Sequence, residues 1–136
     1  MRGRIDHIGV VVADITATRR LLEDVIGLDL KREQHLPGSR IDTAFLGFDD
    51  EGSLVELVQL GDPEDRLRRL GEGNVARLEH IAIEVEDVRA AREELQSRGV
   101  AMQTDEPTVS GPLRSYFTRP ETTHGIVFQL FDRRVG

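Results

Sequence analysis

Apolar residues fall along the chain in short blocks, broken by glycine, proline and acidic residues, and the blocks occur in two similar sets. Residues 5–13 form an apolar, β-branched block, and residues 78–86 form another. The second alternates visibly, with Ile81, Ile83 and Val85 on one face and His80, Glu84 and Glu86 on the other, so both predict strands. Asp14 and Asp87 follow at the position of helix N-caps, where a carboxylate accepts from otherwise unpaired N–H groups. The first helix then carries Leu21, Leu22, Val25 and Ile26 as its apolar stripe, and the second carries Val88, Ala91 and Leu95. Gly27 and Gly99 stop them. In the first set, strands are expected over 28–36, 40–48 and 53–60, parted by Pro37-Gly38 and by Asp49-Asp50-Glu51-Gly52. In the second, a weak strand is expected near 100–104, then strands over 112–119 and 125–132.

The two sets are copies of one pattern. His7-Ile8-Gly9-Val10-Val11-Val12-Ala13-Asp14-Ile15 resembles His80-Ile81-Ala82-Ile83-Glu84-Val85-Glu86-Asp87-Val88, at a constant offset of 73 residues. The offset also lays Ala17 over Ala90, Arg19 over Arg92 and Leu22 over Leu95. The predicted fold is therefore α+β, a single domain over 1–136 made of two tandem βαβββ modules. Module one covers 1–61, a linker with a short helix over 64–70 covers 62–76, and module two covers 77–136. The sheet is expected to be curved and largely antiparallel, a cup with its helices outside.

Composition narrows the function classes. A chain of 136 residues with 32% charged and 38% hydrophobic residues reads as globular. It has no apolar run of the ~20 residues a membrane helix needs. No signal-peptide pattern opens the sequence, so a cytoplasmic protein is expected. Cysteine is absent, which removes disulfides, thiolate metal sites and cysteine nucleophiles. A net charge of −7 and an aromatic content of 4% argue against nucleic-acid binding.

Carried to the last strand of each module, the same offset superimposes Glu56 on Gln129, as it superimposes His7 on His80. Each module thus offers one imidazole and one side-chain oxygen from its first and last strands. Taken singly, each has an ordinary reading, as a packed histidine or an outward-facing strand residue. A structural role gives little reason for ligand-capable residues at both matched positions, so His7, Glu56, His80 and Gln129 are the expected ligands of a divalent metal. Imidazole with oxygen donors suits Zn, Co, Ni, Mn or Fe, and the set leaves room for water or substrate.

The opening His-Ile-Gly with its Asp, the second opening Leu78-Glu79-His80-Ile81-Ala82, and the ending Arg119-Pro120-Glu121 through His124-Gly125-Ile126-Val127-Phe128-Gln129-Leu130 resemble the vicinal oxygen chelate superfamily. That group includes glyoxalase I, methylmalonyl-CoA epimerase, extradiol dioxygenases and bleomycin resistance proteins. Within it the chain resembles methylmalonyl-CoA epimerase most, with Glu79 and Gln129 departing from that family's His and Glu. The resemblance implies a metal-dependent epimerase or isomerase, abstracting a proton alpha to a carbonyl or thioester, with a small-molecule substrate such as an acyl-CoA. It also implies a homodimer, whose modules pair within one chain or between two. Gln129 cannot ionise, so the catalytic base falls to Glu56 or to Asp42, which roughly matches an epimerase glutamate. The competing readings are a glyoxalase I-like lyase, an Fe(II) dioxygenase using His7, His80 and Glu56, and a non-catalytic binding or resistance protein. His35, His124, Arg114 and Arg119 are weaker candidates for contact with a substrate.

Overall fold

The computed structural model describes residues 1–50 and 52–134; Glu51 of the expected turn and residues 135–136 lie outside the described residues. In chain order the elements are β1 (Gly3–Val12), α1 (Ile15–Arg20) running on as a π-helical segment (Leu21–Ile26), β2 (Asp29–Leu36), β3 (Ile41–Gly47) and β4 (Leu54–Leu60). Then come α2 (Pro63–Arg69), β5 (Ala76–Val85), α3 (Val88–Ser97), β6 (Thr108–Ser110), β7 (Leu113–Phe117), a 3-10 turn (Pro120–Thr122) and β8 (Val127–Asp132). The class is α+β and the order is βαβββ twice, as expected, with α2 in the connection. Among the described residues no helix is long and apolar enough to cross a membrane. The chain divides into two compact units, His7–Glu79 and Met1–Asp6 with the residues from His80 on.

In the unit His7–Glu79 the strand order is β2-β3-β4-β1. β2, β3 and β4 are antiparallel in succession, and β4 runs parallel to β1. Alternation separates two faces. Val12, Ala44, Leu46 and Leu57 are buried on the face that α1 covers through Ile15 and Leu22. Val11, Val58 and Leu60 pack on the other face with Leu70, at the end of α2. Fully burying each such side chain contributes about 1.5–3 kcal/mol.

The start of α1 is fixed twice over. Asp14 accepts from Ala17 N at 3.1 Å, and Gln59 Oε1 on β4 accepts from Ile15 N at 2.8 Å. The end differs from expectation. Gly27 N donates to Leu22 O at 2.8 Å, a five-residue loop of π type, and Gly27 takes φ 97°. The wider turn swings successive side chains off the α-helical stripe. Leu22 packs on the core, while Leu21, Val25 and Ile26 are left exposed at 50%, 76% and 52%.

The other unit has the order β5-β8-β7-β6, with β5 parallel to β8 and the rest antiparallel. The leading end of β1 belongs to it. A Cβ on Gly3 would lie 2.8 Å from Glu84 O on β5, so only glycine fits that approach. Its core is Val85, Val88, Ala91, Met102, Tyr116 and Leu130, and the α3 stripe packs as predicted. Asp87 caps α3 through Arg89 N and Ala90 N, and Gly99 takes φ 95° at its end.

Asp132, at the end of β8, is 1% exposed and accepts from Val88 N at 2.7 Å. Arg114 donates to it through Nε at 2.9 Å and Nη2 at 2.6 Å. Burial pushes the Asp132 carboxyl up, but hydrogen bonds from Arg114 and from the Val88 and Arg134 N–H groups outweigh this and hold it below its ordinary value.

The strand expected near 100–104 does not form. Val100 N is tied to Leu95 O at the end of α3, and Thr104 Oγ1 turns back to Glu106 O, leaving one isolated bridge, Met102 to Thr118. The strand beside β7 is Thr108–Ser110 instead.

Candidate metal centre

In the unit His7–Glu79, the expected ligands lie on the face away from α1. β1 and β4 are in parallel register with Gly9 beside Glu56, and His7 shares the face of Gly9 and Val11. His7 is 5% exposed, and its Nε2 stands 3.4 Å from Glu56 Oε1. Phe45, paired with Glu56 across β3 and β4, sets its ring edge-on to the imidazole at 5.2 Å and 88°. Aromatic contact of this kind holds the imidazole plane in place.

The second copy repeats this arrangement. His80 is 6% exposed on β5, on the face of Ala82, which pairs with Gln129 on β8. Phe117 pairs with Gln129 and meets the His80 ring edge-on at 6.5 Å and 82°. Gln129 Nε2 donates to Ser115 Oγ at 3.1 Å, which turns the amide oxygen away from Ser115. That oxygen is the ligand-capable atom of the side chain.

Within the unit His7–Glu79, His7 and Glu56 offer an imidazole nitrogen and a carboxylate oxygen 3.4 Å apart. An imidazole with a carboxylate fits two ligand positions of a divalent transition ion, and His80 with Gln129 offers a nitrogen and an oxygen on the matching face of the other unit.

Asp42 is not brought to this group. It pairs with His35 on β2 and Gln59 on β4, and alternation puts it on the α1 side of the sheet, opposite Glu56. There it is hydrogen-bonded to His35 Nδ1 and lines a cavity of about 400 Å³ with Ile15, Thr16, Arg19 and Glu33. Residues that share a face of a strand differ in number by two or a multiple of two, and Asp42 and Phe45 differ by three. Asp42, expected as an alternative base, thus stands on the face opposite Glu56.

The weaker candidates are mostly structural. Arg114 belongs to Asp132, Arg119 Nε donates to Met102 O, and His124 occupies a turn at φ 56°. Glu79 forms a fork with Arg69 of α2, at 2.7 and 2.6 Å. The Glu79 hydrogen bond raises the Arg69 guanidinium above its ordinary value against the opposing effect of burial, with Glu56 among the charges that add to the rise.

Two duplicated features escape sequence reading of the motifs alone. Phe45 and Phe117, at an offset of 72, each brace a histidine. Gln59 and Asp132, at the offset of 73, each accept from the first N–H of a helix. The offset itself was the signal, extended beyond residues with obvious chemistry.

Comparison with known proteins agrees with the fold. The family described as the Glyoxalase/Bleomycin resistance protein/Dioxygenase superfamily matches residues 6–117. An ethylmalonyl-CoA/methylmalonyl-CoA epimerase of Cereibacter sphaeroides is 25% identical over 133 residues, 96% of this chain and 98% of that protein. A lactoylglutathione lyase of Neisseria meningitidis is 31% identical over 98 residues, 71% of this chain and 67% of that one. The crystal structure of methylmalonyl-CoA epimerase from Mycobacterium tuberculosis has the same fold, with a TM-score of 0.82 at 22% identity over 94% of this chain and 86% of its own.

Proposed function

This chain belongs to the glyoxalase/bleomycin resistance/dioxygenase superfamily, and on that footing we propose that it is a metal-dependent epimerase- or isomerase-type enzyme. It removes a proton alpha to a ketone or thioester carbonyl of a small molecule, an acyl-CoA in the epimerase-like reading. The observation that carries the proposal is the buried His7 facing Glu56 at 3.4 Å on one sheet face, with His80 and Gln129 at the matching positions of module two. These four residues would hold the divalent ion, of Zn, Co, Ni, Mn or Fe. When bound, such an ion supplies Lewis-acid stabilisation of negative charge on the carbonyl oxygen.

The chain's own residues divide the remaining work. Glu56 is the one carboxylate of the four, and Gln129 cannot ionise, so Glu56 takes the proton. The C–H bond breaks, its electron pair shifts toward the carbonyl, and the proton moves to a Glu56 carboxylate oxygen. His7 and His80 stay fixed by Phe45 and Phe117, and Ser115 fixes the Gln129 amide. A homodimer in the cytoplasm belongs to the same reading and rests on likeness to the relatives.

A single carboxylate also favours a second reading, in which one base moves a proton between adjacent carbons, as a glyoxalase I-like lyase requires. The match to a lactoylglutathione lyase supports it. Solvent deuterium separates these. Metal-loaded protein is expected to incorporate it at the alpha carbon of an acyl-CoA thioester under the first reading and of a 2-oxoaldehyde thiol adduct under the second. No incorporation into a panel of either class overturns both.

A further inference from the structure

We propose that the cavity between α1 and strands β2 and β3 binds a small arylalkylamine, its ring over Ala44 and its ammonium group at Asp42, Glu33 and His35. This site lies on the sheet face opposite Glu56 and does not depend on the metal or on the reaction proposed above. The cavity has a volume of about 400 Å³, with Ile15 and Arg19 on the helix side and Glu33, His35, Asp42 and Ala44 on the strand side. A small ligand fits such a volume.

The repeat shows what the space is shaped for. The offset of 73 lays Ile15 over Val88 and Arg19 over Arg92, and the offset of 72 that lays Phe45 over Phe117 lays Ala44 over Tyr116. In module two the same ground is filled. Tyr116 is fully buried and shares a core cluster with Val88, and the Arg92 guanidinium lies 5.2 Å from the centre of its ring. The Tyr116 hydroxyl donates to Asp105 O at 3.2 Å, in the segment before β6. Module one keeps the helix arginine but carries a methyl group where module two carries a phenol ring, and there the cavity opens. A planar ring beneath a guanidinium is the complement of that wall.

The rim selects the charge. Arg19 is matched by two carboxylates: its Nε donates to Glu23 at 2.9 Å and its Nη1 to Glu33 at 2.7 Å. It calls for no further anion. Asp42 is hydrogen-bonded to His35 Nδ1. With the ring proton on Nδ1, His35 Nε2 keeps its lone pair. Among the described residues, Asp42 Oδ2, Glu33 Oε1 and His35 Nε2 have no hydrogen-bond partner. Three acceptors suit a primary ammonium, which has three N–H donors and no acceptor. Asp42 stands two residues from Ala44 on one face of β3, about 7 Å along the strand. That is the reach from an aryl ring to a nitrogen a short alkyl chain away.

Calorimetric titration with 2-phenylethylamine tests the assignment, with 2-phenylethanol as the uncharged ring and n-butylamine as the charge without a ring. The parent is expected to bind the arylamine with a Kd of about 1 mM or tighter, and each control at least about tenfold more weakly. Asp42→Asn is expected to weaken the arylamine about tenfold and to leave 2-phenylethanol within about twofold. Unchanged melting of this variant checks its folding. Ala44→Tyr puts the ring of module two into the cavity and is expected to abolish binding; should that variant not fold, Asp42→Asn decides. Glu56→Gln, on the opposite face, is expected to leave the arylamine affinity unchanged. No binding by the parent at about 10 mM ligand, equal binding of either control, parental affinity in Asp42→Asn, or a loss in Glu56→Gln each overturns the assignment.

Discussion

Replacing Glu56 by glutamine changes one oxygen to NH₂ and nothing else in shape, so it isolates the chemistry of the carboxylate. The site tolerates the change. Glu56 is a partly buried strand residue whose Oε1 lies 3.4 Å from His7 Nε2, and an amide oxygen can occupy that place. The proposed donor set becomes two imidazoles and two amides, which is still expected to bind a divalent ion. Removal of the proposed base is expected to lower the alpha-proton exchange rate by roughly 10²–10⁴-fold, equivalent to about 3–5 kcal/mol in the barrier. Metal content, read by elemental analysis of the dialysed protein, is expected to fall far less.

The pseudo-symmetry supplies the control. Gln129→Glu places a carboxylate in the other copy, where the Ser115 hydroxyl, now 3.1 Å from Gln129 Nε2, can rotate to donate to it. The double variant Glu56→Gln with Gln129→Glu has one carboxylate again and is expected to recover exchange to within about tenfold of the parent. Exchange by Glu56→Gln at the parental rate, with metal retained, would refute the base assignment.

Other perturbations test the scaffold. Asp132→Ala removes the acceptor of the buried Val88 N–H and is expected to cost about 1–3 kcal/mol, read by denaturant melts. Asp132→Asn keeps an acceptor but loses the charge. Because the Asp132 carboxyl is depressed in the folded state, its contribution is present above the ordinary carboxylate range, near pH 4, and lost as pH falls through the folded value. The stability gap between parent and Asp132→Asn should therefore close in acid, and a gap constant from pH 6 to pH 3 contradicts the assignment. Glu79→Gln weakens the fork to Arg69 and is expected to cost roughly 1.5–3 kcal/mol, the range for charged hydrogen bonds, with metal content unchanged. Metal loss in that variant would place Glu79 among the ligands. Val25→Ser, on the exposed π-helical turn, is expected to stay within about 0.5 kcal/mol of the parent, and a loss above about 1 kcal/mol would show that the turn is packed.

Much of the architecture was readable because it is written twice. Asp14 and Asp87 cap their helices, Gly27 and Gly99 end them in the left-handed region, and the α2 helix appears in the connection where Pro63 and its acidic neighbours announce it. What was not readable depends on geometry that a pattern of apolar positions does not carry. The stripe Leu21, Leu22, Val25 and Ile26 has helical spacing, yet a single π turn moves three of the four out to solvent. The block 100–104 looks like a weak strand, but the helix end and the Thr104 turn take its backbone hydrogen bonds first. Asp42 stands on the face opposite Glu56 for a simpler reason. Likeness to a family fixes a neighbourhood in sequence to within a residue or so, and on a strand one residue is the difference between two faces.

That last point suggests how the repeat separates scaffold from chemistry. Features needed to hold a βαβββ module together recur in both copies: the capping aspartates, the last-strand acceptors Gln59 and Asp132, and the edge-on rings Phe45 and Phe117. The histidines recur as well, because each copy presents one. Against this background Glu56 breaks the pairing: Gln129 stands at the matched position, so of this pair only the first copy offers a carboxylate on the face of its histidine. The asymmetric residues of a duplicated fold are where selection for a particular reaction leaves its mark, since the symmetric ones are already accounted for by folding.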